Sequence, residues 1–254
     1  FNLNKRSLTL DLNAPEGQAV LRKLAATAHG VVNNLRGDLP SRLGLTYAAL
    51  KDINPAVVCA HLSAYGRDNP RAKWPGYDYL MQAEAGYLHL SGEPGSPPAH
   101  IGLSIVDYMT GITTAVAILS SLFGVLKDGR GHDIDVSLFD VALHQLTYPG
   151  AWYLNSGYRT ERLPRSAHPS TVPVQLQRTS DGWIFIMCMT QKFWVELVRR
   201  LERPDLLTHA DYATVEARRA NRDALTAVLD DLLSTATTAD WLSRLQGVLP
   251  AAPV

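Results

Sequence analysis

The feature that most constrains the fold is a long apolar segment in the middle of the chain, IGLSIVDYMTGITTAVAILSSLFGVL (Ile101 to Leu126). One acidic residue, Asp107, stands near its start, and no further charged residue follows until Lys127. Small and hydroxyl-bearing residues recur among the large aliphatic ones. This pattern predicts a helix that is buried on most of its sides.

A membrane span is the alternative for this segment, because its length approaches the ~20 apolar residues that cross a bilayer. Its many hydroxyl groups favour the buried helix, as does the lack of a second such segment in the sequence. The composition agrees, since 46% hydrophobic and 19% charged residues are typical of a globular protein and not of a disordered one. We therefore expect no membrane partner.

Asp107 is predicted at the N-terminus of this helix, where two roles are open to it. As an N-cap it accepts backbone N–H bonds and opposes the helix dipole, which stabilises a helix by about 0.5–2 kcal/mol. As a reacting group it uses the same N–H groups to stabilise developing negative charge. The residues alone do not separate the two roles, and we take Asp107 as the candidate catalytic residue.

Composition and motifs exclude several other functions. The 24 basic residues equal the 24 acidic ones, so no overall field attracts nucleic acid, and an anionic ligand needs local cations. Cys59 and Cys188 lie far apart and the histidines form no HxxxH pattern, so neither a disulfide framework nor a metal site is predicted. No GxGxxG or GxxxxGK[ST] motif occurs. No signal peptide is visible, which favours the cytoplasm.

Short β-type runs alternate with helical runs in the first part of the chain. This order predicts a parallel sheet covered by helices, a Rossmann-like α/β architecture, with ligands at the carboxyl ends of the strands. Asn13, Asn34 and Gly66 follow those strands. The predicted elements are strands at 7–12, 31–35, 56–66 and 132–138, and helices at 15–28, 47–52, 79–90, from Asp107 to Leu126, and at 139–155.

A loss of periodicity and a gain in charge predict a linker at 158–171. The chain therefore divides into a Rossmann-like large domain (1–157), this linker, and a smaller α+β domain (172–254) that is expected to be incomplete. The smaller domain is predicted to contain a hairpin around TSDG and three helices. The helices are placed at 192–201, 213–233 and 239–249.

Ten short motifs follow one another over nearly the whole chain: NKRSLTLDL (Asn4 to Leu12), PEG (Pro15 to Gly17), VVNNLRGDLPSRLGL (Val31 to Leu45), PGYD (Pro75 to Asp78), SGEP (Ser91 to Pro94), D-x-x-TG (Asp107 to Gly111), GRGHDIDVSLFD (Gly129 to Asp140), HPS (His168 to Ser170), DGWIFI (Asp181 to Ile186) and RPDL (Arg203 to Leu206). No single motif is specific, but the ordered set resembles the class III CoA-transferase family, the CaiB/BaiF group. Members are longer, and they form interlocked, ring-like homodimers. The resemblance therefore implies a fragment that lacks both ends, and an interlocked homodimer as the assembly.

By the family's pattern, Asp107 falls on the catalytic aspartate. In these transferases the carboxylate attacks an acyl-CoA thioester to give a mixed anhydride, and the released CoA thiolate then captures it as an aspartyl-CoA thioester. An acceptor acid reverses the sequence. The resemblance thus implies acyl-CoA and a small carboxylic acid as substrates, with coenzyme A entering as a substrate and no cofactor bound permanently. A carboxylate, with a reference pKa of ~3.9, is ionised at neutral pH but needs desolvation and positioning to react.

The resemblance also implies CoA contacts, and cations are expected among them because CoA carries phosphates. Lys73 is added by its charge and location alone. For Arg36 and Arg42 the alternative is an ordinary exposed cation, and for Asn34 it is a strand-end cap. Leu35 departs from the aromatic residue often found there. The residues in the family's CoA-contact stretches are Leu10, Asp11, Leu12, Asn13, Asn34, Leu35, Arg36, Arg42, Pro75, Gly76, Tyr77 and Asp78.

Two other functions stay open within the family. Acyl-CoA racemases move the α-proton with a paired His and Asp. Tyr77 stands where the His is needed, and a phenol, with a reference pKa of ~10, is a poor base at neutral pH. Transfer is therefore favoured over racemisation, and an inactive family member is the remaining alternative.

The sequence does not identify the donor and acceptor acids. Arg165 and His168 are candidates to recognise a second carboxylate of a dicarboxylic substrate. The alternative is that both residues belong to an ordinary polar linker.

Overall fold

A computed structural model describes residues 2–254 of the chain. These residues form two compact units, the first from residues 2–89 and 99–159 and the second from residues 90–98 and 160–254. The segment 90–98, which lies in the middle of the predicted large domain, thus groups with the second unit. The elements that carry the candidate site all belong to the first unit.

The first unit contains a three-stranded parallel sheet in the order β1 (Gly30–Asn33), β2 (Val58–Ser63) and β3 (Asp133–Ser137). The register places Asn33 beside His61, so polar residues from neighbouring strands meet near the carboxyl edge. The central strand β2 is almost entirely buried, in keeping with its apolar sequence. The mixed α/β fold with a parallel sheet confirms the predicted fold class.

The predicted strand at 7–12 is wrong. Among the described residues, only those three strands pair in this sheet, and residues 7–12 form no ladder. The side-chain amide of Gln18 holds this segment by donating to the carbonyl of Leu12 (2.6 Å) and to that of Leu43 (3.0 Å). A segment with an alternating apolar pattern forms a strand only when a neighbouring strand pairs with it, and none of the described residues pairs with residues 7–12 in this way.

Helices of the first unit are shorter than predicted at two places. The helix expected at 79–90 breaks at Gly86, whose φ of 90° lies in the left-handed region that glycine tolerates. The helix expected at 139–155 breaks before Thr147, which also has a positive φ of 52°. The helices are α1 (Pro15–Ala25), α2 (Leu39–Arg42), α3 (Tyr47–Leu50), α4 (Asp78–Glu84), α5 (Tyr87–Leu90), α6 (Ile105–Asp128), α7 (Leu138–His144) and α8 (Thr147–Ser156).

Helix α6 is far more exposed than predicted, so the expectation of burial on most sides is wrong for this chain. Its buried residues are Val106, Thr110 and Thr114, because the small sheet and its helices cover only one side of a 24-residue helix. Five large apolar residues on the uncovered part are each more than half exposed, and we call them the apolar seam. The seam consists of Ile112, Val116, Leu119, Phe123 and Leu126.

Among the described residues, α6 is the one helix with the length and composition to cross a bilayer. It nevertheless contacts β2 and β3, and the Ser121 hydroxyl bonds to His132 Nε2 (2.9 Å). Crossing a bilayer would remove these contacts and leave the sheet uncovered. The packing therefore favours a helix of a globular fold.

The second unit combines an antiparallel sheet with five helices. Strands β4 (Val174–Arg178) and β5 (Trp183–Met187) form the predicted hairpin, and β6 (Ala251–Pro253) adds a third strand that the sequence analysis missed. The buried Arg218 ties the unit together, since its guanidinium lies 4.8 Å over the Trp194 ring. The helices are α9 (Gln191–Arg200), α10 (Asp205–Thr208), α11 (Val215–Ala220), α12 (Arg222–Leu233) and α13 (Thr238–Leu245), with a short 3-10 turn at Pro164–Ser166.

Candidate active site

A cleft of about 750 Å³ opens at the carboxyl edge of the parallel sheet. The segments after β1 and β2, the residues just before α4, the start of α7 and the first turns of α6 form its walls. This is where ligands collect in a parallel α/β sheet. The sequence-predicted residues that line the cleft are Asn34, Leu35, Arg36, Pro75, Gly76, Tyr77 and Asp107.

The remaining predicted contacts lie outside the cleft walls. Residues 10–13 lead into α1, where the Asp11 carboxylate accepts the backbone N–H of Asn13 (2.9 Å). Arg42 ends α2 and is exposed. Lys73 is exposed and directly precedes Trp74, which does line the cleft. Lys73 is therefore next to a cleft residue in the sequence without lining the cleft itself. The other predicted contacts that do not line the cleft are Leu10, Asp11, Leu12, Asn13, Arg42 and Asp78.

Asp107 is the third residue of α6 and is not its N-cap, so the capping role considered for it is wrong. The N-cap position belongs to Ser104, which makes no side-chain cap bond. The backbone N–H of Asp107 instead donates to the Asp78 carboxylate, with an N to Oδ2 distance of 2.9 Å. A carboxylate from α4 thus caps α6, which leaves the Asp107 side chain available to the cleft.

Asp78 belongs to a buried hydrogen-bond network that fixes the approach to α6. Its other carboxylate oxygen accepts the Gln82 amide (2.6 Å), and both side chains are buried. The same Gln82 amide donates to the Leu103 carbonyl (3.0 Å), while its oxygen accepts the backbone N–H of Ile101 (2.9 Å). Helix α4 therefore holds the backbone of Asp107 and of the segment before it in one geometry.

This environment makes the Asp107 carboxyl more basic than an ordinary aspartate. Partial desolvation and, after it, the negative charge of Asp78 raise the pKa of Asp107 above its usual value. A more basic carboxylate is a stronger nucleophile once it is ionised. Asp78 thus caps α6 and also contributes, after desolvation, to the raised pKa of Asp107.

Arg36 is the one cationic side chain of the described residues that lines the cleft. It is engaged with Asp38 through two bonds, Nε to Oδ1 at 2.6 Å and Nη2 to Oδ2 at 3.0 Å. The hydrogen bond from Arg36 lowers the pKa of Asp38, and Asp38 in turn raises the pKa of Arg36. An anionic ligand at Arg36 therefore shares the guanidinium with a carboxylate that holds it in place.

Aromatic side chains form much of the outer wall. Tyr77 is 80% exposed and Trp74 is 51% exposed, so both present ring surface to a ligand. Trp74 packs edge-on against Tyr65 (6.0 Å between ring centroids), and the Arg71 guanidinium lies 4.9 Å over the Trp74 ring. Sequence reasoning missed Trp74, although its position directly before the PGYD motif was a usable signal.

Arg165 and His168 both lie in the second unit, where each already has partners. Arg165 pairs with Asp230 (2.5 Å, Nη1 to Oδ2). The His168 ring accepts the backbone N–H groups of Ser170 and Thr171 through Nδ1, both at 3.2 Å. These contacts give the two side chains structural roles in the loop before β4. Recognition of a second carboxylate by them stays a prediction.

The comparisons with known proteins agree with this picture. The model of CoA-transferase family III matches residues 1–254. The chain is 35% identical to an acyl-CoA transferase of Fusarium pseudograminearum (strain CS3096), over 100% of this chain and 56% of that protein. It is 31% identical to a succinate–glutarate CoA-transferase of Agrobacterium fabrum (strain C58), over 100% of this chain and 63% of that protein.

A solved structure of a similar protein supports the fold described above. The crystal structure of a CaiB/BaiF family protein from Brucella suis aligns with a TM-score of 0.85 at 35% identity, covering 98% of this chain and 66% of that one. The chain thus spans 56% of the Fusarium protein and 66% of the Brucella chain. The resemblance seen in the sequence is confirmed: the chain belongs to CoA-transferase family III, the CaiB/BaiF family.

Proposed function

We propose that the protein transfers coenzyme A from an acyl-CoA donor to a small carboxylic acid through a covalent aspartyl-CoA thioester on Asp107. The observation that carries this proposal is the position of Asp107, on the first turn of α6 in the wall of a cleft of about 750 Å³. Asn34, Leu35 and Tyr77, which match the family's CoA-contact stretches, line the same cleft. Family membership supports the class of reaction.

The reaction proceeds in two exchanges at acyl carbons. A carboxylate oxygen of Asp107 attacks the thioester carbonyl, the C–S bond breaks, and CoA leaves as thiolate, which gives a mixed anhydride. The thiolate then attacks the Asp107 carbonyl carbon and releases the donor acid as carboxylate, leaving aspartyl-CoA. The acceptor carboxylate attacks that thioester, and the released thiolate attacks the acceptor's acyl carbon. This last step forms the new acyl-CoA and restores the Asp107 carboxylate.

The surroundings of Asp107 support this role. The raised pKa of Asp107 reflects partial desolvation and a second negative charge nearby, and both conditions favour attack on a neutral thioester. The Asp78 bond to the backbone of Asp107 keeps the nucleophile in place through both exchanges. Coenzyme A is a substrate in this scheme, and no permanently bound cofactor takes part.

Racemisation of an acyl-CoA is the alternative within the family. It needs a second acid–base group opposite Asp107, and Tyr77 occupies the position where a racemase has His. Tyr77 lines the cleft as a phenol, which supports transfer. Exchange of the α-proton with deuterium oxide, in the absence of any acceptor acid, would favour racemisation instead.

The direct test of the proposed function is mass spectrometry of the full-length protein after incubation with a panel of acyl-CoAs. We expect a CoA adduct on the peptide that contains Asp107, removable by hydroxylamine. Protein that binds CoA without forming this adduct contradicts covalent catalysis. Protein that binds no CoA contradicts the enzyme assignment and favours an inactive family member.

We also propose that the protein is a homodimer of the family's interlocked type and that a partner copy covers the apolar seam of α6. The seam residues follow one another at intervals of four, three, four and three positions, which aligns them on one side of a helix. A contiguous apolar strip of this length is unusual on a free surface. Burial of this strip between two copies would explain why α6, an apolar helix, is left exposed by the rest of its own chain.

Replacing Phe123 with Glu is therefore expected to prevent the two copies from assembling as they fold, so that monomer or aggregate replaces the dimer, because a charge enters the centre of an apolar contact. The oligomeric state is measured by size-exclusion chromatography with light scattering. Asp128→Lys is the matched control, since Asp128 is exposed at the end of the same helix and stands neither three nor four positions from any seam residue. A Phe123→Glu protein that stays dimeric contradicts this assignment of the seam.

A further inference from the structure

A chain of polar side chains crosses the parallel sheet directly behind the cleft. It begins at Asp133 on β3, whose Oδ1 lies 2.8 Å from Nε2 of His61 on β2. The other ring nitrogen of His61, Nδ1, lies 2.8 Å from the Asn33 amide nitrogen on β1. Asn33 Oδ1 in turn accepts the backbone N–H of Leu35 (3.4 Å). We call Asp133, His61 and Asn33 the sheet relay.

The direction of every bond in the relay follows from its two ends. The Leu35 N–H can only donate, so the oxygen of the Asn33 amide faces it, and the amide nitrogen faces His61. His61 Nδ1 must then accept, which leaves the proton on Nε2, where it donates to the Asp133 carboxylate. His61 is therefore a neutral imidazole with one defined tautomer. Its side chain is fully buried, so no water competes for these bonds.

The relay ends on the backbone of the cleft wall. Leu35, together with its neighbours Asn34 and Arg36, lines the cleft. The next residue, Gly37, is packed so closely that a Cβ there would stand 2.4 Å from the Gly66 carbonyl oxygen. The segment 34–37 is thus held at two points, by the Asn33 amide on one side and by close backbone packing on the other.

The charges around His61 come from two parts of the chain, β3 and the loop after β2. Asp133 and Asp135 on β3 favour the protonated ring, whereas Arg67, in the loop after β2, opposes it and lies 3.7 Å from Asp133 and 3.4 Å from Asp135. Burial outweighs the carboxylates and lowers the pKa of His61 below its usual value. The nearby thiol of Cys59 has a pKa raised to about 12 by burial, so it stays neutral at physiological pH. These surroundings agree with the neutral tautomer deduced from the bonds.

We infer that Asn33 and His61 are positioning residues for ligand binding in the cleft, because they fix the backbone at Leu35 and with it the presentation of Asn34 and Arg36. This inference deepens the proposed function, since the ligand of this wall is the CoA moiety. Neither residue lines the cleft, so neither is expected to contact the ligand directly. Each acts by holding in place the cleft wall that contacts the ligand.

Protonation of His61 breaks the relay, so the inference also predicts that CoA binding weakens at acid pH. A proton on Nδ1 faces the Asn33 amide nitrogen, so the amide either loses this bond or turns over and presents its nitrogen to the Leu35 N–H. Because the pKa of His61 is lowered in the folded protein, the neutral ring and the bond to Leu35 are kept at neutral pH. They are lost only as the pH falls well below the reference histidine value of ~6.5.

The test compares three variants of the full-length protein by their KM for acyl-CoA, their kcat and their affinity for CoA by calorimetry. Asn33→Ala removes the support of Leu35, and we expect KM to rise about tenfold with kcat within about twofold of the wild type. Asn33→Asp keeps an acceptor for Leu35 and also accepts from a protonated His61. We expect it to retain near-normal KM and to lose the weakening of CoA binding at acid pH.

Asn54→Ala is the matched control. Asn54 also accepts the backbone N–H two residues ahead, at Ala56 (3.1 Å), and its amide also bonds within the first unit, to the carbonyls of Ala25 and Ala28. It lies away from the cleft. We expect a similar loss of thermal stability in this variant with KM unchanged, so that general destabilisation is separated from loss of the relay.

Hydrogen exchange at residues 34–37 supplies a readout that does not need CoA. We expect faster exchange in Asn33→Ala and wild-type exchange in Asn33→Asp, and nitrogen NMR of His61 should show a proton on Nε2 alone. Wild-type protein that fails to bind CoA contradicts the proposed function and leaves this readout intact. Unchanged exchange and KM in Asn33→Ala, or an equal rise of KM in Asn54→Ala, would overturn the inference.

Discussion

Asp107→Asn lowers the rate of CoA transfer by at least roughly a thousandfold, while the protein still binds CoA. An amide oxygen is a far weaker nucleophile than a carboxylate, and loss of the group that forms the covalent intermediate is among the largest single effects known in enzymes. The α6 cap is unaffected, because it depends on the backbone N–H of Asp107 and on Asp78. The measurement combines steady-state transfer between two acids with mass spectrometry of the Asp107 peptide, which should carry no adduct.

Asp128→Asn is the matched control, since Asp128 ends the same helix and is exposed. It should transfer CoA at the wild-type rate. Asp107→Ala should be as inactive as Asp107→Asn, which excludes slow deamidation as the source of residual activity. Transfer at the normal rate in both Asp107 variants would return Asp107 to a purely structural role.

Asp78→Asn is expected to lower kcat by about 10- to 100-fold and to destabilise the protein by about 1–3 kcal/mol. The introduced amide has a single acceptor for two donors, the Asp107 N–H and the Gln82 amide. Gln82 cannot turn over to compensate, because its oxygen already accepts the N–H of Ile101. One buried donor is therefore left without a partner. Urea unfolding and steady-state kinetics measure the two effects.

Asp78→Asn is also expected to change the pH dependence of the reaction rate. Asp78 raises the pKa of Asp107 through its negative charge, as a contribution secondary to desolvation. Activity requires ionised Asp107 and is lost as the pH falls through that raised pKa. Removing the charge of Asp78 lowers the pKa of Asp107, so the acidic limb of the pH–rate profile should move to lower pH. Movement to higher pH contradicts this account.

The double variant Asp78→Asn with Gln82→Glu separates geometry from charge. The introduced Glu can accept from Ile101 and from the new amide, which frees the amide oxygen for the Asp107 N–H. Only the bond to the Leu103 carbonyl is then lost. We expect the double variant to recover part of the lost stability and rate. A double variant no better than Asp78→Asn would show that the network does not act as a unit.

Much of this architecture could be predicted from local patterns. The apolar runs that became β1, β2 and β3 carry the periodicity of buried strands, and the glycine-rich and proline-rich segments ended elements where expected. The family motifs placed Asp107 and six of its cleft neighbours on one site. These features depend on residues close in sequence, which is the range that pattern reasoning covers.

Other features depend on contacts between distant residues and could not be predicted. The cap of α6 comes from a residue 29 positions earlier, whereas Ser104, which is the usual kind of N-cap residue at the expected position, makes no side-chain cap bond. The exposure of the apolar seam depends on how much surface the rest of the chain covers, which hydropathy does not report. The His61 tautomer follows from bonds across three strands, and its sequence context is only an apolar run.

Because the cap of α6 is contributed by α4, the first turn of α6 cannot be completed by its own sequence. In the folding of this unit, the turn that bears Asp107 is expected to gain its final geometry only after α4 has docked, whereas the middle of α6 can form earlier from local contacts. Asp107, the proposed nucleophile, is therefore expected to be among the last parts of the helix to become ordered. A protein captured part-way through folding would then hold the middle of α6 without an ordered first turn around Asp107.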